Sequence, residues 1–288
     1  MIVIGSDVLR VELAEPGEAP NNTSRFDRAG FITEVVLNGI HRFCASEPNN
    51  LSHPSSGGRG LCSELLFDVS EHAMVNGYFP KLGIGLMQKP SEEKYIFYEK
   101  YINQPFPVTV EQTGDSIAFC TESINCMGYA VREKKTIKIS NNQLVMTIGL
   151  ENVGDLDIQG NEYCHNFLSL NGMAIGPGYR LLLPDISSSS RISKNIVYDS
   201  NELLFRKYDN QASIIYFEQE DICEKESFEW TLLNRDAKAA VECSEEFKPT
   251  RCIIWAADHI VSPEVWHGFM LKPGQSDMWI RKWTFLEI

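Results

Sequence analysis

His165 sits in the stretch EYCHNFLSLNG (162–172), where Tyr163, His165 and Phe167 alternate onto one face and Cys164, Asn166 and Leu168 onto the other. An imidazole titrates near neutrality and gives and retakes a proton cheaply, so one set between aromatic rings is a candidate general acid. The plainer alternative is a core histidine bonded to a backbone carbonyl. Adjacent Cys164 is not a thiol partner for it, because neighbouring strand residues point to opposite faces. A second stretch, AADHIVSPEVWHGFMLKPGQSDMW (256–279), carries Asp258, His259, Glu264, Trp266, His267 and Gln275. No pair in it has HExxH spacing, and strand or loop placement scatters these groups, so no metal site is expected. Carboxylates, imidazoles and tryptophan together suit a sugar, whose apolar face stacks on the indole while its hydroxyls bond to charged side chains.

Two cations complete the set. Arg59 lies in SSGGRGLCSEL (55–65), where flanking glycines allow tight backbone and let the guanidinium lean over a pocket. No GK[ST] follows, so this is not a phosphate loop. Lys81 precedes an apolar, glycine-interrupted strand in FPKLGIGLM (79–87). Each cation taken alone is more simply a solvated surface side chain.

The elements that must position these residues read as strands. FITEVVLNG (31–39), PVTVEQTGDSIAFCTES (107–123), YAVREKKTIKIS (129–140) and QLVMTIGLENVGD (143–155) alternate, or turn at Asn, Gly and Asp. SNNQ joins the last two as a hairpin turn. Further strands are expected at 212–219, 227–233, 251–259 and 278–288. Short helices fit only LCSELLFDVSEH (61–72) and RDAKAAVECSEEF (235–247). SEPNNLSHPSSGGRG (46–60) reads as a loop over a sheet, and the apolar FML run (269–271) as part of a strand crossing one. Glu264 is then expected in a loop before that strand and Gln275 in the turn after it. Strand following strand, without regular helical alternation, indicates a mostly antiparallel all-β fold in one domain over 1–288.

Composition narrows the function classes. The 288 residues carry a net charge of −13, and no basic run is longer than REKK (132–135). Nucleic acid is therefore not an expected partner, since phosphate binding needs clustered Lys and Arg. The N-terminus lacks a basic n-region and a long apolar run, which argues for a cytoplasmic protein that neither spans nor binds a membrane. Eight scattered cysteines without a CxxC pair read as free, mostly buried thiols. The NNTS sequon (21–24) carries no weight without secretion.

Taken in order, four of these stretches resemble the galactose mutarotase-like family, the aldose 1-epimerases and their relatives. RFDRAGFITEVVLNG is similar to the family's opening strands, and GGRGLCSE stands at its arginine-bearing substrate loop. LENVGDLDIQGNEYCHNFLSLNG resembles its strand, Asn–x–Gly–Asp turn and histidine segment, and LKPGQSDMWIRKWTF its closing Pro–Gly hairpin. The resemblance runs through most of the chain and implies a β-supersandwich without a cofactor. It implies His165 as the acid donating to the ring oxygen while a base takes the anomeric proton. The family base, on this resemblance, is a glutamate directly after Pro–Gly, where this chain has Gln275. An amide cannot take up that proton, which leaves Glu264 as the nearest carboxylate, Gln275 and Trp266 as sugar contacts, and Lys81 near the place of a second histidine. Arg59 and Lys81 open the way to an anionic sugar. Two functions follow: C1 epimerisation of a sugar, or carbohydrate binding without catalysis on the same scaffold.

Overall fold

Apolar residues recurring at every second position make this chain a β protein. The computed structural model describes residues 1–18, 24–49, 54–184, 196–199, 201–207 and 226–288, and the backbone alone of 191–192 and 215–220. In Gln143–Asn152 the side chains of Leu144, Met146, Ile148 and Leu150 point into the core and the residues between them do not. The hairpin before it closes through Asn141, whose φ of 51° is the left-handed value that a two-residue turn needs and asparagine tolerates.

Among the described residues two ten-stranded antiparallel sheets form the body of the molecule. The first runs Ile2–Gly5, Leu9–Leu13, Ile32–Leu37, Gly60–Leu66, Ile158–Phe167, Val261–Leu271, Pro249–Ala256, Ile215–Glu220 and Arg191–Ile192, with His41–Arg42 paired on Ile32–Leu37. The second has Ser276–Glu287 and Gln143–Asn152 at its centre, flanked by Ala239–Glu246 and Val131–Ser140. One large apolar cluster, from Leu13 and Leu61 in the first sheet to Trp279 and Phe285 in the second, fills the space between them. A three-stranded sheet, Tyr78–Lys81, Gly85–Gln88 and Asn103–Pro105, stands beside them. The all-β sandwich is thus the fold.

Both expected helices are absent. Residues 60–66 form a strand, with a single 3₁₀ turn at Ser70–His72, and residues 239–246 form another. In the second segment Ala239, Val241, Cys243 and Glu245 are all buried while Glu242 and Glu246 are exposed, a period of two. Pairing with a neighbour on each side, Phe228–Asn234 and Ser276–Glu287, overrides the helix preference of Ala, Glu and Lys. Glu264 lies inside a strand rather than in a loop, since Val261–Leu271 begins three residues before it. The strand expected over 212–219 is described from Ile215; residues 212–214, residues 21–23 of the sequon and Cys223 lie outside the described residues. No helix among the described residues is long and apolar enough to cross a membrane.

Candidate active site

Three adjacent strands of the first sheet carry the site. The histidine strand, Ile158–Phe167, is flanked by Gly60–Leu66 on one side and by the glutamate strand, Val261–Leu271, on the other. Its even residues Ile158, Glu162 and Cys164 enter the sandwich, so Tyr163, His165 and Phe167 face the opposite, open side. The register sets Glu64 and Trp266 on either side of Tyr163. Continuous burial of residues 60–65 on both faces follows from this: one face is core and the other is site.

These residues enclose a cavity of about 250 Å³, lined by Tyr163, His165, Phe167, Trp255, Glu264 and Trp266 together with Arg25, Glu47, Phe97 and Ile253. The His165 ring stacks on Phe167 at 5.2 Å, and the edge of Phe26 meets it at 5.1 Å. Tyr163 and Trp266 stack with centroids 4.5 Å apart. Such a volume, at the low end for ligand pockets and walled by aromatic faces, fits a monosaccharide-sized ring.

Carboxylates bracket the imidazole. His165 Nδ1 lies 2.8 Å from Glu264 Oε1, and Nε2 lies 3.3 Å from Glu64 Oε2. The Glu264 approach is off the N–H direction, so it is an electrostatic contact that leaves buried Nδ1 without an aligned acceptor. Burial alone pushes the imidazole pKa down, but the Glu264 charge and contacts to both carboxylates override burial and the opposing Arg25 charge, and the net shift is upward. Glu64 also accepts from Arg25 Nε and from the Tyr163 hydroxyl, each at 2.7 Å, with Lys81 Nζ 3.6 Å from its other oxygen. Those cations outweigh burial and hold its carboxyl well below the usual range. Glu264 accepts from Ser262 Oγ at 2.9 Å.

The structure brings His165, Glu264 and Trp266 together. Lys81 is close but behind: it is buried, donates to the Leu65 carbonyl at 3.0 Å and pairs with Glu64, and it does not line the cavity. Arg59 and Gln275 are not brought to the cavity. The Arg59 guanidinium is used on the Thr33 carbonyl at 2.9 Å. Gln275 occupies the exposed hairpin turn after the glutamate strand, where its side-chain oxygen accepts from Lys272 N at 2.9 Å. Its neighbour Ser276 lies beyond Leu271, which pairs with Ile158, seven residues along the strand from His165. At roughly 3.3 Å per residue that is over 20 Å. His267 turns into the sandwich onto Asp277, 2.8 Å away, and His259 pairs with Asp258 at the surface.

Sequence reasoning missed Arg25, Glu47 and Glu64. Glu64 carried a signal, a single carboxylate within the apolar run GLCSELL. Arg25 carried a weaker one, between Ser24 and Phe26 in the opening segment; its guanidinium stands 4.2 Å over Phe97 and bonds Ser56 Oγ and the Tyr163 hydroxyl. Glu47 accepts from Ser55 Oγ and Gly57 N, which ties residues 55–57 to the cavity wall.

No protein-family model matches the sequence, and no curated protein matches it either. Solved structures do match the fold. A galactose mutarotase-like protein from Lactobacillus casei superposes with a TM-score of 0.62 at 12% identity, over 99% of this chain and 100% of that one. A galactose mutarotase related enzyme from Lactobacillus acidophilus gives 0.59 at 13%, over 99% and 97%. The aldose epimerase homologue from C. elegans gives 0.53 at 11%, over 100% and 99%. This chain has the galactose mutarotase-like fold.

Proposed function

We propose that this chain is an aldose 1-epimerase that interconverts the C1 anomers of an unphosphorylated sugar, with His165 as acid and Glu264 as base. The observation carrying this reading is the 2.8 Å separation of His165 Nδ1 and Glu264 Oε1 on the wall of an aromatic cavity. The ring oxygen O5 and the anomeric oxygen O1 are both bonded to C1, so one acid and one base that nearly touch can serve both. Protonated His165 gives its Nδ1 proton to O5 while Glu264 takes the proton from O1, and the C1–O5 bond breaks to leave an aldehyde. Rotation about C1–C2 exposes the other carbonyl face, and the same two proton transfers in reverse close the ring. Sharing the fold with galactose mutarotase-like proteins supports a sugar as the ligand.

The charges favour a neutral sugar. Arg25 is engaged by Glu64, Lys81 is withdrawn behind it, and Glu47 and Glu264 add negative charge to the cavity wall. An added phosphate meets repulsion from Glu47 and Glu264 there, while the lining cation Arg25 is already paired with Glu64. The binding-only alternative rested on Gln275, and a glutamine in an exposed turn does not bear on proton transfer at His165. Buried free thiols such as Cys62 and Cys164 accord with a reducing, cytoplasmic setting.

Polarimetry on fresh α-glucose and α-galactose tests the proposal. His165→Ala and Glu264→Gln should each lower kcat by about 10²–10⁴, the usual worth of one acid or base. Gln275→Glu should leave the rate within about twofold. Unchanged rates in Glu264→Gln, or a rise in Gln275→Glu, would return the base to the Pro–Gly turn.

A further inference from the structure

His165 and Glu264 face each other across neighbouring strands. Tyr163 pairs with Trp266 and Leu168 bridges to Val261 in one register, which sets His165 across from Glu264 and Asn166 across from Pro263. A protonated imidazole and a carboxylate 2.8 Å apart would ordinarily close into an aligned ion pair, in which each quenches the other. Here they do not, and buried Nδ1 is left without an aligned acceptor. We propose that Ser262 is a positioning residue that ties Glu264 Oε1 off the N–H direction of His165, and that the other oxygen, Oε2, receives the anomeric proton. The inference rests on the reading of His165 and Glu264 as acid and base.

Pro263 explains why a hydroxyl is needed at this point. Leu168 and Val261 exchange both backbone hydrogen bonds, at 3.0 and 2.9 Å. Two residues along, the ladder requires the same exchange between Asn166 and Pro263, and proline has no N–H to give. The Asn166 N–H turns instead to Ser262 Oγ at 3.1 Å, and the Asn166 side chain takes the Pro263 carbonyl. With that N–H occupying one side of Oγ, the Ser262 hydroxyl donates its proton to Glu264 Oε1 at 2.9 Å. Ser262 is fully buried, so bulk water does not compete for it. The anchor starts one residue from His165, and the carboxylate is thereby placed against the strand that carries the acid.

The two carboxylate oxygens are thus unequal. Oε1 is held by Ser262 and stands beside Nδ1. Oε2 makes no hydrogen bond to any described residue, and Glu264 lines the cavity. An oxygen in that state has lone pairs for O1 of the sugar, and an unengaged Nδ1–H has its proton for O5. In an aligned pair that proton would lie between Nδ1 and the carboxylate, out of reach of the ring oxygen. Glu64 does not interfere, because its contact is with Nε2 on the other side of the imidazole. Ring opening moves one proton from O1 to Oε2 and one from Nδ1 to O5 as the C1–O5 bond breaks. Ring closure returns both protons and re-forms the bond.

Ser262→Ala removes the hydroxyl and lets Glu264 rotate onto the Nδ1–H. The imidazole pKa, followed by NMR titration of the ring, should then move further above its ordinary 6.5, because an aligned carboxylate favours the protonated ring. Polarimetric kcat on α-glucose and α-galactose should fall by about ten- to a hundredfold, with KM within about twofold. Ser262→Thr keeps the hydroxyl and should return both readouts toward wild type. A serine with a merely structural role would lower the denaturation midpoint when removed without raising the imidazole pKa. An unchanged or lowered imidazole pKa in Ser262→Ala, a kcat equal to wild type, or a folded Ser262→Thr as impaired as the alanine variant overturns the inference. If circular dichroism shows that Ser262→Ala is unfolded, Ser262→Cys, whose thiol is a weaker donor, replaces it under the same criteria. If the wild type mutarotates neither sugar, the acid–base reading fails by itself, and the NMR titrations alone decide the role of Ser262. A raised pKa in the variant supports its hold on Glu264, and an unchanged one overturns it.

Discussion

Glu64 and Glu264 both touch His165, and their surroundings divide their roles. Glu64 is saturated by Arg25, Tyr163, His165 and Lys81, so its lone pairs are taken and its proton affinity is low. A base must accept a proton, and Glu264, with Ser262 as its hydrogen-bond donor, is the freer of the two. The same carboxylate raises the His165 pKa above its ordinary 6.5. Glu264→Gln should therefore lower the imidazole pKa, read by NMR titration of the ring; an unchanged value would show that Glu64 alone supports the protonated ring. The sign for stability follows from the raised folded-state value. His165 contributes stability that is full below about 6.5 and is lost as pH rises through its folded pKa. Activity requiring protonated His165 should decline over that same upper range. At this scale the histidine was legible because a titrating ring interrupts an aromatic strand face. Arg25 was not, because no periodicity marks a segment outside the strands.

At the scale of elements, Asn166 shows how the chain holds His165 and Glu264 in register. Its side chain donates to the carbonyls of Cys164 and Pro263 and accepts from Trp283 Nε1 at 2.9 Å, while its backbone N–H bonds Ser262 Oγ. One amide thus joins the histidine strand, the glutamate strand and the second sheet. Asn166→Leu leaves the Trp283 donor and the Pro263 carbonyl buried without their partner, at about 1–3 kcal/mol for each unsatisfied group. The urea midpoint should fall accordingly, and a midpoint equal to wild type would mean the strands are aligned by packing alone. Asn152 does similar work at the Asn–Val–Gly–Asp turn, tying Leu156 and Leu271. That motif, legible in the sequence as a turn, is explained by structure rather than chemistry. Alternating strands were legible throughout because burial on one face imposes a period of two. Gly60–Leu66 was not, since burial on both faces erases the period, and Ala239–Glu246 was not, since its composition favours helix.

On the scale of the whole molecule, the two sheets are joined by buried charge as well as by apolar contact. Arg281 of the second sheet lies 2.6 Å from Glu162, which backs onto the site beside Tyr163, and 2.7 Å from Glu245 in its own sheet. All three side chains are buried, and Trp279 Nε1 adds a bond to Glu162 at 2.9 Å. Burial raises the Glu245 pKa, and Arg281 restrains that rise. Arg281→Met keeps most of the volume but strands two carboxylates between the sheets, a loss of about 3–5 kcal/mol for a broken buried pair. The deficit should depend on pH in a defined direction. Without Arg281 the folded-state pKa of Glu245 climbs further above its ordinary 4.5, and a carboxyl with a raised folded pKa contributes stability below its unfolded value that is lost as pH rises. The variant should therefore lie furthest from wild type near pH 7–8 and approach it as pH falls toward about 4.5. Denaturant midpoints of the two proteins across that range measure the gap. A gap of constant size would assign the role of Arg281 to packing against Phe247, 5.0 Å from its guanidinium, and not to the charges it holds.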